Sequence, residues 1–252
     1  MTKEEALFKY ILRIADTNLI LGHRLSEWIG HAPMMEEELA LGNVALDLIG
    51  QANSLLQYAA KVEEKNKTED DLAYLRNERE FYNTLLSEQP NRDFGFTIVR
   101  QLLNDAFNIH FLEELTKSSD ATLAGLAAKA HKEALYHFRH SSAWTERLGD
   151  GTEESKNKVQ NALNELWRFT DELFEMNEVD EILLKEKIAV DLKAIKPKFE
   201  KTINEILQRT TLNKPEKAFM QRGSRDGKHT EHLGFLLAEM QHLHRAIPDV
   251  TW

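Results

Sequence analysis

Apolar residues recur along this chain at helical spacing, and no convincing run of strand-like alternation interrupts them. Residues 4–29 are apolar almost all round, through Leu7, Phe8, Ile11, Leu12, Ile14, Ala15, Leu19, Ile20 and Leu21. A helix of that kind is enclosed by neighbours on several sides. Gly30 and Pro33 mark its end, and Glu36, Glu37 and Glu38 suit the positive end of a second helix over 34–63. From Lys61 to Asp71 the chain is charged and lacks apolar anchors, which predicts a loop leading into short helices near 70–88. Pro90-Asn91-Arg92-Asp93 predicts a turn, with Asp93 capping a helix at 94–117. Ser118-Ser119-Asp120 caps a helix at 121–147, which stops at Gly149-Asp150-Gly151. Further helices fit 153–176, 191–209 and 229–246.

The four long helices at 4–29, 34–63, 94–117 and 121–147 have the lengths and order of a bundle. The long connection between the second and third matches the crossover of ferritin-like folds. The expectation is therefore all-α: a single ferritin-like domain over residues 1–252, a four-helix bundle with additional C-terminal helices over 153–252.

Composition narrows the chemistry. Cysteine is absent, so disulfide frameworks and thiolate catalysis are excluded. The N-terminus Met1-Thr2-Lys3-Glu4-Glu5 lacks a signal-peptide pattern, and no apolar run reaches about 18 residues, so a soluble, cytoplasmic protein is expected. With 42 acidic against 32 basic residues, the net charge of −10 argues against a general affinity for nucleic acid. There is no nucleophile elbow, phosphate-binding glycine loop or dinucleotide fingerprint. The loop Gly223-Ser224-Arg225-Asp226-Gly227-Lys228 is basic and could meet a phosphate, but reads more simply as a surface loop.

Carboxylates inside the predicted bundle carry the remaining chemistry. Asp105 sits amid Ile98, Leu102, Ile109 and Leu112, and Asp16 amid Leu12, Leu19 and Ile20. Burying an unpartnered carboxylate costs several kcal/mol, so each needs a metal, a cation or a set of donors. A ferritin-like di-iron site takes one carboxylate from each of two helices and Glu-x-x-His from the other two. Asp16, Asp47, Asp105 and Glu133 supply one carboxylate per helix, but the histidine places hold Gly50 and Tyr136. His137, one residue late, leaves a shifted ligand conceivable; Gln51 at the matching place on the second helix is a poor ligand for iron. Two missing nitrogen donors argue against a working di-iron centre. On the simpler reading the acids are structural, paired with Arg13, Lys132, His23 or His137, or with Asp47 facing solvent. Glu239-Met240-Gln241-His242 is a true Glu-x-x-His without a partner helix, and reads as a chance match. His229-Thr230-Glu231-His232 starts the last helix with Thr230 as its cap, and Trp28, Trp144 and Trp167 read as core or interface residues.

Several longer runs point to a family. Arg24-Leu25-Ser26-Glu27-Trp28-Ile29-Gly30-His31-Ala32-Pro33, Leu46-Asp47-Leu48-Ile49-Gly50-Gln51-Ala52, Leu166-Trp167-Arg168-Phe169-Thr170 and His229-Thr230-Glu231-His232-Leu233-Gly234 resemble the PaaC subunits of ring-1,2-phenylacetyl-CoA epoxidases, from about residue 5 to Trp252. The resemblance implies a multicomponent monooxygenase that epoxidises the ring of phenylacetyl-CoA in aerobic phenylacetate catabolism. In such a complex a PaaA-type catalytic homologue holds the di-iron centre. A small PaaB-type subunit and a PaaE-type reductase with NADPH, FAD and an iron–sulfur cluster complete it. PaaC-type subunits are structural, so the implied role here is a non-catalytic subunit with no catalytic, cofactor-binding or metal residue of its own, in a homodimer or hetero-oligomer. The alternatives are an active di-metal oxidase using Asp16, Asp47, Asp105, Glu133 and His137, and a stand-alone helical binding protein.

Overall fold

The computed structural model of the protein describes residues 1–215 and 219–247. Among these residues there is helix but no strand. Helix α1 spans Lys3–Ser26, α2 Met35–Glu63, α3 Glu69–Tyr74, α4 Phe94–Leu115 and α5 Ala121–Gly149. They are followed by α6 Glu153–Leu166, α7 Glu178–Lys185, α8 Leu192–Leu207 and α9 Glu231–Ala246. α1 lies along α2 and α4 along α5, and α2 meets α5, giving the four-helix core; α6 and α8 pack on α4, α7 on α1, and α9 on α3.

Local signals set most of the starts. Thr2 and Glu5 form a reciprocal capping box on α1, and Asp93 and Asp120 accept from the backbone N–H groups of Phe96 and Leu123, each at 2.9 Å. α1 is enclosed as its pattern predicts, with Ala6, Ile11, Ala15, Ile20 and Leu25 fully buried. It ends at Ser26 rather than at residue 29, because Trp28 turns inward, donates to Thr97 Oγ1 at 3.1 Å and packs edge-on against Phe94. Phe94 in turn meets Trp144 edge-on, so two of the three tryptophans singled out in the sequence brace one end of the bundle.

Two expectations fail. The helix expected over 153–176 stops at Leu166. Trp167, Phe169, Leu173 and Phe174 are all buried, and the chain turns through two short 3₁₀ segments, Trp167–Phe169 and Asp171–Phe174, to inter them. α7 then starts where nothing was expected, on a capping box of Asn177 and Asp180. Between residues 70 and 88 only α3 and a 3₁₀ turn at Glu78–Glu80 are helical.

Residues 81–89 then thread through the molecule as irregular chain, buried almost throughout. Buried backbone polar groups need partners, and outside a helix these come from side chains. Asp16 accepts the N–H of Tyr82 at 2.9 Å and Glu172 that of Leu85 at 2.9 Å, while Arg24 and Arg100 donate to the carbonyls of Glu88 and Gln89. The Gly223–Lys228 segment lies at the surface as read, with Asp226 and Lys228 exposed, and is anchored in the same way. Gly223 and Ser224 donate their N–H groups to Glu172 Oε1, at 3.0 and 2.9 Å. Gly227 has φ +66 and lies so close to the Arg79 carbonyl that a Cβ would sit 2.2 Å from its oxygen.

Candidate functional site

The interior polar cluster is built where α2 faces α5. Asp47 and Gln51 are one turn apart on α2, and Glu133 and His137 are one turn apart on α5. The helices oppose these pairs so that they bond crosswise. His137 Nε2 lies 3.0 Å from Asp47 Oδ2, and Gln51 Nε2 donates to Glu133 Oε2 at 2.8 Å. One step outward, Asn18 of α1 donates to Gln51 Oε1 at 3.0 Å, and Lys129 lies 3.8 Å from Glu133. Towards the other end of α2, His140 Nε2 meets Glu37 Oε2 at 2.8 Å.

Asp105 completes the interior from α4. It is fully enclosed and accepts from Gln101 at 2.7 Å, one turn away, and from Ser141 of α5 at 2.8 Å. Burial pushes its carboxyl up to about 6, against the opposing pull of the His137 charge and the two donors. Asp16 stands apart from this group. Its carboxylate takes both terminal nitrogens of Arg76, with Arg76 Nη1 at 3.0 Å, as well as the Tyr82 amide.

These placements revise the sequence reading in three ways. Gly50 and Tyr136 are on exposed faces, and open space surrounds the position of a Gly50 Cβ. The inward positions one turn on are Gln51 and His137, at i+4 rather than i+3. Of the proposed counter-charges only His137 meets one of the candidate acids. Arg13 instead binds Asp180 at 2.9 Å and Asn177 at 2.8 Å, and Asp16 is neutralised by Arg76. Asp47 is not simply a solvent residue, since its part-exposed carboxylate is tied to a histidine that is 2% exposed. Gln101, Ser141 and Asn18 escaped sequence reading because neutral amides and hydroxyls carry no charge signal on an apolar stripe. Arg76 escaped because it lies outside the four long helices. Glu239 and His242 are both exposed on α9.

The start of α9 forms a second buried network. His229 is enclosed, with Nδ1 2.8 Å from Glu88 Oε2 and Nε2 2.9 Å from the Phe81 carbonyl. Burial alone would lower its pKa, but the Glu88 bond and charge outweigh it and raise the value. Thr230 occupies the N-cap position, yet its hydroxyl is donated to Glu88 Oε1 at 2.7 Å and does not cap the helix. Arg24 joins the same node through the carbonyls of Glu88 and His232.

This donor set does not fit a carboxylate-bridged pair of irons. Such a site needs histidine nitrogens beside its carboxylates, whereas an amide occupies one place and bonds Glu133, and the inward histidine is held by Asp47. Among the described residues no three His, Cys, Asp or Glu side chains gather as a metal-holding group. Nor is any helix among them long and apolar enough to cross a membrane.

Fold and interior together define the class: an all-helical, ferritin-like bundle whose central polar residues bond one another. The chain belongs to the phenylacetic acid catabolic protein family, whose model matches residues 1–252. It is 48% identical over 246 residues to the C subunit of the 1,2-phenylacetyl-CoA epoxidase of Escherichia coli (strain K12), covering 98% of this chain and 99% of that relative. Trp252, where the sequence resemblance ends, lies outside the described residues.

Proposed function

We propose that the protein is a non-catalytic, structural subunit of a multicomponent di-iron monooxygenase that epoxidises the ring of phenylacetyl-CoA in phenylacetate catabolism. The observation that carries this reading is the crosswise bonding of Asp47 with His137 and of Gln51 with Glu133, which spends on one another the side chains a metal would need. Kinship with the C subunit of an epoxidase, over nearly the whole of both chains, supports the assignment to that enzyme. In this reading the di-iron centre resides in a PaaA-type catalytic homologue. NADPH, FAD and the iron–sulfur cluster belong to a PaaE-type reductase, and a PaaB-type subunit completes the assembly in the cytoplasm.

The bundle also carries a face suited to a helical partner. Met35, Leu39 and Leu46 follow one side of α2 and are 75%, 63% and 70% exposed, beside Gly42 and Gly50. Ile29 and Met34 at the α1–α2 turn, and Leu135 and Tyr136 on α5, add further exposed apolar side chains. Large exposed apolar patches mark interaction surfaces, and glycines let a second helix approach closely. We assign this face to the catalytic homologue.

The test is made on protein produced in iron-rich medium, alone and together with the catalytic homologue. The isolated chain should contain no stoichiometric iron and consume no oxygen with phenylacetyl-CoA, while the pair should purify as one complex. Two irons per isolated chain, with oxygen uptake, would overturn the proposal.

A further inference from the structure

The bonds from Asp47 to His137 and from Gln51 to Glu133 set α2 and α5 side by side and antiparallel, so their outer faces form one surface. Leu46 and Tyr136, next in sequence to a bonded pair and both exposed, stand at one level of it. On α2 the exposed residues Leu39, Asn43, Leu46, Gly50 and Asn53 are spaced alternately by four and three. That is the register of a seam between nearly parallel helices crossing at about 20°. It runs for about 21 Å, and ends where Gln57 is tied to Glu69 of α3. Any solvent-facing stripe has this spacing; what sets this one apart is its charge.

Between Leu39 and Ala60, α2 carries a single charged residue, Asp47. Between Ala121 and Thr145, α5 carries one acid, Glu133, against Lys129, Lys132 and Arg139. Other solvated helices pair their cations, as where Glu154 meets Lys158 and Glu114 meets Lys198. Here both acids are already engaged: Asp47 with His137, and Glu133 with Gln51 at 2.8 Å and Lys129 at 3.8 Å. On the same flank Glu37 is taken by His140. Lys132 and Arg139 are exposed and make no ion pair or hydrogen bond with any described residue. Arg139 only rests its guanidinium 5.4 Å from the centre of the Tyr136 ring.

In a chain of net charge −10, two unanswered cations beside an uncharged seam are complementary to an acidic surface. Lys132 and Arg139 are two turns apart, about 10 Å along α5, too far to close on one phosphate or carboxylate. Carboxylates at the same two-turn spacing on a facing helix meet both. An extended polyanion finds no cation along the α2 half. A second copy of this chain brings no free acid to that place, since the acids it carries there are spent.

We infer that the α2–α5 surface takes one helix of the catalytic homologue, small or apolar where it lies on Leu39–Asn53 and acidic where it faces Lys132 and Arg139. The inference rests on the assignment of this face to that homologue, and adds the shape and charge of the element that binds. Seated there, the helix covers the part-exposed Asp47 and with it the pair to His137.

The dissociation constant of this chain with the catalytic homologue is measured at about 50 and 500 mM NaCl, because salt screens exposed charges. Lys132→Glu with Arg139→Glu should weaken binding about tenfold or more at low salt and remove most of the salt dependence. Its melting curve should match wild type, because both side chains are exposed and unpaired. Zero-length carbodiimide coupling, which joins an amine to a carboxylate in contact, should link Lys132 to an acid on a helix of the homologue. Leu39→Lys with Leu46→Lys reads the face itself. If that variant abolishes the complex while the charge-reversed one binds as tightly as wild type, the face stands and the acidic helix is overturned. If neither weakens binding, the assignment of the face falls with it. Self-association of this chain that the charge reversal abolishes would also overturn the inference, giving the surface to a second copy.

Discussion

A single buried carboxyl shows how environment sets chemistry. Asp105 is enclosed on every side, and its two donors, Gln101 and Ser141, do not fully replace water. Its folded pKa of about 6 lies above the 3.8 of an exposed aspartate. The folded chain therefore holds this proton over a pH range in which the unfolded chain has released it. That contribution is complete below about pH 4 and is lost as pH rises through 6, amounting to about 3 kcal/mol at 1.36 kcal/mol per pH unit. Asp105→Asn removes the titration, so urea midpoints of variant and wild type should diverge in the variant's favour between pH 4 and 6.5. A constant difference across that range would show that Asp105 does not titrate there. The carboxyl's apolar setting was legible in the sequence, from the leucines and isoleucines at helical spacing around it. Its partners were not, because a residue's own stripe says nothing about which side chains the facing helix supplies.

At the scale of helices, two glycines make opposite predictions. Gly22 lies where α1 presses on α2, and a Cβ there would meet Ile49 Cγ1 at 2.8 Å and the Ala45 carbonyl at 3.2 Å. Gly22→Ala gains about 1 kcal/mol of helix propensity, but forcing the helices apart costs about 1–3 kcal/mol. We expect net destabilisation, because the carbonyl cannot move aside as a side chain can. Gly50, in the interior of α2 with open space around it, should gain about 0.5–1 kcal/mol on Gly50→Ala in the isolated chain. Thermal unfolding of both variants decides the matter: a stabilised Gly22→Ala or a destabilised Gly50→Ala would contradict the packing described. Helix starts were readable because caps are local, as at Asp93 and Asp120. The end of α6 and the whole of α7 were not. The 3₁₀ turns that inter Trp167 and Phe174, and the Arg13 bonds that hold Asn177 and Asp180, depend on contacts distant in sequence.

Over the whole molecule, the proposed partner face has a direct test. Leu39→Lys with Leu46→Lys replaces exposed side chains that touch little of their own chain, so stability should change by no more than about 0.5 kcal/mol. Co-purification with the catalytic homologue should be lost. A complex that survives both charges would move the interface elsewhere.

The amino-acid order alone determined the helical class, the four long helices and their sequence, the caps at Asp93 and Asp120 and the near-complete enclosure of α1. It also located the carboxylates of the bundle and carried the family resemblance in runs such as Arg24–Pro33. All of these are written in spacings of a few residues. Tertiary structure alone decided which face of each helix looks inward. It turned Gly50 and Tyr136 outward and Gln51 and His137 inward, and set Arg76 on Asp16. Residues at i+3 and i+4 lie within about 100° of each other on a helix, and a small rotation against the neighbouring helix chooses between them. That rotation is fixed by packing across the whole bundle, which no local spacing encodes.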